Sequence, residues 1–229
     1  VAEPTAGGAR GGQESPRSKR QAILNAAIEH FGRQGYEYTK WADIAADLGL
    51  GSTALYHYFE SKLHCLYEIQ IAAIEAEREQ FDRLTSGRGE FGPALLRLLD
   101  GLFELSEHDI LRNRVLVAET SLLSVPRTSP REEDARRRAR AQTRDLEFAW
   151  AALLTRGMEQ GAIPQVDPRL LTYAVLGLYN SIWHWYRPGG GLSLADLHDF
   201  FAQRCLAVLG YVESDAAPAK RSSRAGRAG

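Results

Sequence analysis

The sequence predicts an all-α protein that begins with a helix-turn-helix, and three observations carry that expectation. Leu outnumbers Val and Ile together, 29 against 17, a bias towards good helix formers and away from the β-branched residues that strands favour. Apolar residues recur at helical spacing between breaks rich in Gly and Pro, with neither strand-turn-strand alternation nor an internal repeat. Finally, residues 41–60 meet each internal requirement of a helix-turn-helix.

The elements follow in order. Val1 to about Ser15 is Ala, Gly, Pro and Ser with scattered charge, too poor in apolar residues to cover a core, so residues 1–15 are expected to form a disordered arm. Ile23, Leu24, Ala27, Ile28 and Phe31 then make one stripe on a helix from about Arg17 to Gln34, with Gly35 suited to its C-terminal cap. Thr39 stands where it can cap a short helix over Trp41–Leu48. Gly49-Leu50-Gly51 interrupts the pattern, which resumes over Ser52–Phe59. Ser61 can cap a long helix from Lys62 to about Leu84, roughly 35 Å in length. Five further helices are expected at about 93–106, 110–124, 132–160, 168–187 and 193–212, nine in all, and residues 213–229 read as a second disordered tail, basic through Lys220, Arg221, Arg224 and Arg227.

Composition bounds the function. With 229 residues, 44% hydrophobic and 25% charged, the chain is long enough for a sizeable core in one or two domains. A formal net charge of -1 excludes gripping nucleic acid or anionic lipid by overall charge, so any such role needs a local surface. Cys65 and Cys205 have no C-x-x-C partner, which removes a disulfide framework and a zinc-ribbon spacing and suggests a reducing cytoplasm. The first twenty residues lack the apolar core of a secretory signal. Leu170–Tyr186 is barely long enough to span a bilayer and contains Thr172, Asn180, Ser181 and His184, so it reads as a buried helix and no membrane role is expected.

In the helix-turn-helix, Ile44, Leu48, Leu50, Leu55 and Tyr58 take the apolar positions, Ala45 the close crossing, and Gly49 the turn, where glycine tolerates a positive φ best. Ser52, Thr53, Tyr56, His57 and Glu60 are left facing outward on the second helix. Short or aromatic hydrogen-bonders there suit a helix that enters a major groove.

From Ile23 to Leu66 the chain resembles the DNA-binding domain of the TetR family of transcriptional regulators: I-L-x-A-A-x-x-x-F-x-x-x-G-Y-x-x-T, then I-A, then L-G-L-G-S-T-A-L-Y-H-Y-F-E-S-K. About a fifth of the chain carries the resemblance. Two departures stand out, Lys40 where the family often has Thr or Ser and Thr53 where it often has Gly, so an operator sequence does not carry over. The resemblance implies that Thr39, Lys40, Tyr56, Tyr58 and Lys62 touch phosphates, that Ser52 and Thr53 approach base edges, and that His57 does either. Packing competes with the phosphate reading for Tyr56 and especially Tyr58, and Trp41 is expected to pack under the first helix. Residues 1–62 hold seven basic and seven acidic side chains, so binding would depend on gathering Arg17, Lys19, Arg20, Lys40 and Lys62 on one face and on operator shape.

Other signals are weaker. Residues 87–92 fit G-x-G-x-x-G but follow a helix, so a dinucleotide site is not expected. The six histidines show no metal-ligand spacing, no catalytic constellation announces itself, and neither metal, cofactor nor enzymatic activity is expected. The Arg-rich run from Arg131 to Arg144 reads as a solvated face with i, i+4 pairs.

The remaining helices, 63–212, would form a ligand-binding and dimerisation domain, as the resemblance implies, with residues 16–62 as the DNA-binding domain. Helices 168–187 and 193–212 are the candidates for a homodimer interface. Phe103, Leu116, Trp150, Leu154, Met158, Tyr179 and Trp183 are candidates for an effector cavity, with ordinary core as the standing alternative for each. The implied function is a ligand-responsive homodimer, most often a repressor, whose operator is a near-palindrome and whose long helix from Lys62 acts as a lever. A DNA-binding regulator without a small ligand, or an α-helical enzyme, are the alternatives.

Overall fold

A computed structural model of the chain describes residues 15–86 and 89–212. Among the described residues nine α-helices and one 3-10 turn appear: α1 Pro16–Gln34, α2 Trp41–Asp47, α3 Ser52–Leu55, α4 Lys62–Thr85, α5 Phe91–Gly101, α6 Glu107–Ala118, the 3-10 turn Thr120–Ser124, α7 Pro130–Glu159, α8 Pro168–Trp185 and α9 Leu194–Leu209. Both expected terminal tails lie outside the described residues, except that Ser15 caps α1 by accepting the Ser18 N–H at 3.2 Å.

Helix α5 runs over Phe91–Gly101 instead of about 93–106 and α6 starts at Glu107 instead of 110, and three further departures from expectation have a local reason. The second helix of the helix-turn-helix closes after Leu55, because the N–H groups of Tyr56, His57 and Tyr58 turn to carbonyls three residues back and tighten the chain. The pattern over 110–124 divides at Glu119, where φ -106 and ψ 13 end α6 and the 3-10 turn takes over. Thr39 does not cap α2. That helix starts at Trp41 as expected, but its N-cap is an extended Lys40 that makes no side-chain cap bond, and the Thr39 hydroxyl instead donates to Gly35 O at 2.9 Å.

The chain divides into two compact units. The first comprises the described residues up to Arg78 together with Leu105–Asp145 and Trp183–Pro188, and so contains more than the helix-turn-helix segment. Its core joins the predicted α1 stripe, Ile23, Leu24, Ala27, Ile28 and Phe31, to Ile44, Ala45, Leu55, Phe59, Leu66 and Ile69. Burying each Leu, Ile or Phe contributes roughly 1.5–3 kcal/mol. From α6, Leu111 and Val115 enter the same core. Close approach is possible because α1 carries Gly32, where an added Cβ would meet Leu111 Cβ at 2.8 Å. A smaller cluster in this unit sets Tyr67 and Ile71 of α4 against Ala135 and Ala139 of α7.

The second unit comprises Glu79–Glu104, Leu146–Ile182 and the described residues from Gly189. Phe81, Phe91, Leu95, Leu99, Trp150, Leu154, Met158, Val175, Cys205 and Leu209 form its core. Helix α9 starts on a capping box, Ser193 with Asp196, and ends on Gly210 at φ 62. Among the described residues no helix is long and apolar enough to cross a membrane.

Candidate nucleic-acid interface

Helix α2 and the segment from α3 to Phe59 are held against α1 by side chains on one face. Ile44, Leu55 and Phe59 are fully buried, and Gly49 turns the chain at φ 64 so that the Leu50 N–H reaches Ala45 O at 2.9 Å. Trp41 packs on the same core, its ring edge-on to Phe59 with centroids 6.4 Å apart. The helix entering this arrangement is tied at its far end as well, where His30 Nε2 of α1 meets Asp47 Oδ2 at 2.6 Å. What remains outward is the face carrying Thr53, Tyr56 and His57, all exposed, with Tyr56 at 54%. Ser52 opens α3, and its side chain lies outside what the structure describes.

The other predicted contacts separate into two groups. Lys40 is exposed just before α2. Thr39, by contrast, is only 2% exposed, its hydroxyl turned inward to Gly35 O. The Lys62 ammonium donates to Tyr36 O at 2.7 Å and Thr39 O at 3.0 Å, and lies 4.3 Å from the centroid of the Tyr36 ring. It clamps the turn between α1 and α2 to the start of α4. Arg20 also turns inward, pairing with Glu68 and lying 5.0 Å from the Phe59 ring centroid. The five cations expected on one face are therefore not assembled there, because Arg20 and Lys62 find partners on α4 and in the preceding turn. Tyr58 is half-buried against the core. Tyr38, at 84% exposure the most open of the large hydrophobic side chains among the described residues, lies outside the expected contact set. Its signal was a tyrosine flanked by Glu37 and Thr39 outside every apolar stripe.

Behind this face lies a charge network that sequence spacing did not foresee. Glu68 is 8% exposed and accepts from Arg20 and, at 2.7 Å, from Arg138 of α7, which also reaches Asp134 at 3.0 Å. Burial pushes the Glu68 carboxyl up, but His64, Arg138 and Arg20 outweigh it and hold the pKa down at about 2. Two hydroxyl bonds fasten the start of α7 to the end of the helix-turn-helix, Ser129 to Glu60 at 2.7 Å and Ser61 to Glu132. Ser61 also caps α4, accepting the His64 N–H at 3.0 Å. The Arg-rich run is thus only partly a solvated face. Arg137 and Arg138 make i, i+4 pairs as expected, whereas Arg136 is buried and donates to Leu123 O at 2.7 Å.

Residues 23–69 match the family of bacterial regulatory proteins, tetR family, and residues 119–209 match the tetracyclin repressor-like C-terminal domain. The two matches together span more than half of the chain. The chain belongs to the TetR family. Among relatives of this TetR-family chain, the HTH-type transcriptional repressor KstR2 of Mycobacterium tuberculosis is 26% identical over 194 residues, covering 84% of this chain and 91% of that protein. The TetR-family transcriptional regulator PfmR from Thermus thermophilus superposes with a TM-score of 0.68 at 29% identity, covering 84% of this chain and 99% of that one. The ketosteroid transcriptional regulator KstR2 of Mycobacterium tuberculosis superposes with a TM-score of 0.68 at 25% identity, covering 88% of this chain and 98% of that one.

The seven effector candidates of this TetR-family chain are divided between the two units. Phe103, Trp150, Leu154, Met158 and Tyr179 belong to the second unit, whereas Leu116 and Trp183 belong to the first. Trp150, Leu154 and Met158 are close-packed core, with the Trp150 ring 5.6 Å from that of Phe81. Phe103 sits edge-on to Tyr179, centroids 5.8 Å apart, and the Tyr179 hydroxyl donates to Leu102 O at 3.0 Å. Leu116 packs on the core beneath α1. Trp183 lines a recess of about 320 Å³ in the first unit, together with Phe31, Tyr36, Arg114, Val115, Glu119 and Arg187. Burial, and then the neighbouring Arg187, lower the Arg114 pKa. Residues 87–88 of the glycine-rich loop lie outside the described residues, and α5 begins at Phe91. Among the described residues no cluster of His, Cys, Asp and Glu is arranged to hold a metal ion.

Proposed function

We propose that this protein is a cytoplasmic, homodimeric transcriptional repressor that releases a near-palindromic operator when a small apolar or amphipathic effector binds. The observation that carries the reading is the sorting of side chains after Gly51: Leu55 and Phe59 are fully buried, while Thr53, Tyr56 and His57 stand exposed on the opposite side. A helix so anchored offers hydrogen-bonding groups to base edges and phosphates while its apolar face fixes its orientation. Lys40 and Tyr38 add exposed phosphate partners beside it. Thr39 and Lys62 serve by holding the turn that presents them. Residues 16–62 are the reading head and residues 63–212 supply sensing and dimerisation.

Dimerisation through α8 and α9 is supported by the apolar surface those helices leave open. Leu170 is 67%, Tyr173 48%, Phe200 51% and Val208 45% exposed. Such a patch asks for a partner face. For the effector, the recess beside Trp183 has a volume in the range of small-molecule sites. It combines aromatic and aliphatic walls with the Arg114 guanidinium, which favours an amphipathic acid. An effector that prefers one conformation lowers operator affinity by its differential affinity for the two states, with α4 as the lever.

Selection of bound DNA from fragments of the source genome tests the reading. Recovered fragments should share an inverted repeat with half-sites about one helical turn apart. Recovery of no enriched fragment by the intact protein would overturn it. An amphipathic carboxylic acid that raises the melting temperature and weakens binding to the recovered site would identify the effector class.

A further inference from the structure

We propose that the DNA interface extends beyond the helix-turn-helix onto the first turn of α7, where Arg131 contacts a backbone phosphate. This rests on the DNA-binding reading above. An open recess in the first unit is lined by Arg20, Tyr58, His64, Glu68, Pro130, Arg131, Asp134 and Arg138. Tyr58 of the helix-turn-helix segment lines the recess together with Arg131, and the exposed Glu60 that ends this segment accepts from Ser129 at 2.7 Å, so the start of α7 adjoins the end of the helix-turn-helix. The hydroxyl bonds from Ser129 to Glu60 and from Ser61 to Glu132 hold the start of α7 at that place.

Charge accounting inside the recess singles out one side chain. Arg20 and Arg138 both bond Glu68, and Arg138 also bonds Asp134, so those two cations and two carboxylates satisfy one another. Arg131 is exposed and makes no hydrogen bond or ion pair among the described residues. Its position in the helix offers it nothing either, since the first turn of a helix favours acidic side chains. Lys62, equally placed at the start of α4, shows the contrast: two carbonyls account for its ammonium. Glu60 and Glu132 lie on the same joint; each accepts from a serine hydroxyl and keeps its negative charge, so any phosphate met here depends on Arg131 for its counter-charge. An unneutralised guanidinium on a rigid helix, next to a surface that meets a polyanion, suits a phosphate oxygen.

The test compares wild type, Arg131→Gln, Arg131→Lys and Arg140→Gln on a duplex carrying the recovered operator and on a non-cognate duplex of equal length. Arg140 is exposed on another face of α7 and serves as the control. Fluorescence anisotropy across a salt series should show Arg131→Gln losing affinity on the order of tenfold on both duplexes. Its salt slope should fall by about 1.8, because the dimer loses one phosphate contact in each half-site. Arg131→Lys should keep the slope, Arg140→Gln should match wild type, and all melting temperatures should stay equal. Phosphate ethylation interference should lose one position per half-site in Arg131→Gln. If wild type binds the operator and Arg131→Gln retains its affinity and slope, the α7 contact is overturned while the DNA-binding reading stands. If wild type binds neither duplex, both fall.

Discussion

The Lys62 ammonium sits 4.3 Å from the centroid of the Tyr36 ring and donates to the Tyr36 carbonyl at 2.7 Å, with a second bond to Thr39 O at 3.0 Å. A lysine that sequence pattern assigns to a phosphate therefore braces the turn that carries Tyr38 and Lys40. Lys62→Met should destabilise the protein by about 2 kcal/mol, because it leaves two carbonyls without their charged donor. The thermal midpoint should drop by several degrees while the salt dependence of DNA binding stays unchanged. A slope that fell by about 1.8, one contact from each protomer, without a thermal shift would return Lys62 to the phosphate-contacting group.

Features that depend on neighbours in sequence were legible. The α1 stripe, the glycines at 35 and 49 and the Ser61 cap each follow from spacing or from local backbone geometry. The outward set Thr53, Tyr56 and His57 was legible for the same reason, since helical period alone separates it from Leu55 and Phe59. Misreadings concentrate where the deciding partner lies far along the chain. Lys62 is answered by Tyr36, 26 residues away, and Arg20 by Glu68, 48 residues away. No periodicity reports such pairs. Effector candidates are hard to single out for a related reason: an aromatic on a buried stripe looks the same whether it lines a cavity or packs in a core, and Trp150 packs in a core.

Gly32 gives a packing prediction. A Cβ there would come within 2.8 Å of Leu111 Cβ and 3.1 Å of Leu111 O, neither of which can swing away. Gly32→Ala gains about 1 kcal/mol of helix propensity but forces α6 off α1 at a cost of roughly 1–3 kcal/mol. Chemical denaturation should show a net loss of stability, and Gly32→Val a larger one. A stabilised Gly32→Ala would mean that α6 slides freely on α1.

The Glu68 network predicts a pH dependence with a definite sign. The folded carboxyl titrates at about 2, below its ordinary 4.5, so its contribution is complete above about pH 5 and is lost as pH falls from 4.5 towards 2. Glu68→Gln leaves Arg20 and Arg138 without their shared anion; because both guanidiniums are half-exposed and solvent screens them, the loss near neutrality is about 1–2 kcal/mol, below the range for a fully buried pair. Denaturation midpoints of wild type and variant should differ most at neutral pH and converge in acid. A constant gap across that range would show that the carboxylate charge is not what stabilises the joint.

Within the DNA-facing set, charge and readout should separate. Lys40→Gln removes an exposed cation from each protomer and should weaken binding to cognate and non-cognate duplexes alike, lowering the salt slope of the dimer by about 1.8. Thr53→Ala keeps the charge and should leave the slope alone while relaxing base preference at one position of each half-site. A binding-site selection repeated with Thr53→Ala measures that directly; an unchanged preference would move Thr53 out of the base-reading group.

The exposed stripe on α8 makes the assembly testable apart from DNA. Leu170 and Tyr173 lie one turn apart and are 67% and 48% exposed, and Gly177, another turn along, has open space where a side chain would be. That arrangement suits a helix that packs against its own copy, with the glycine admitting close approach. Leu170→Glu with Tyr173→Asp places four like charges in such an interface, two from each copy, and removes apolar area, yet in the isolated chain both sites face water. Sedimentation velocity should therefore show a folded monomer with unchanged helical circular dichroism. Operator affinity should fall by on the order of a hundredfold, because two half-sites are no longer held by linked reading heads. A variant that stays dimeric would place the interface on another face.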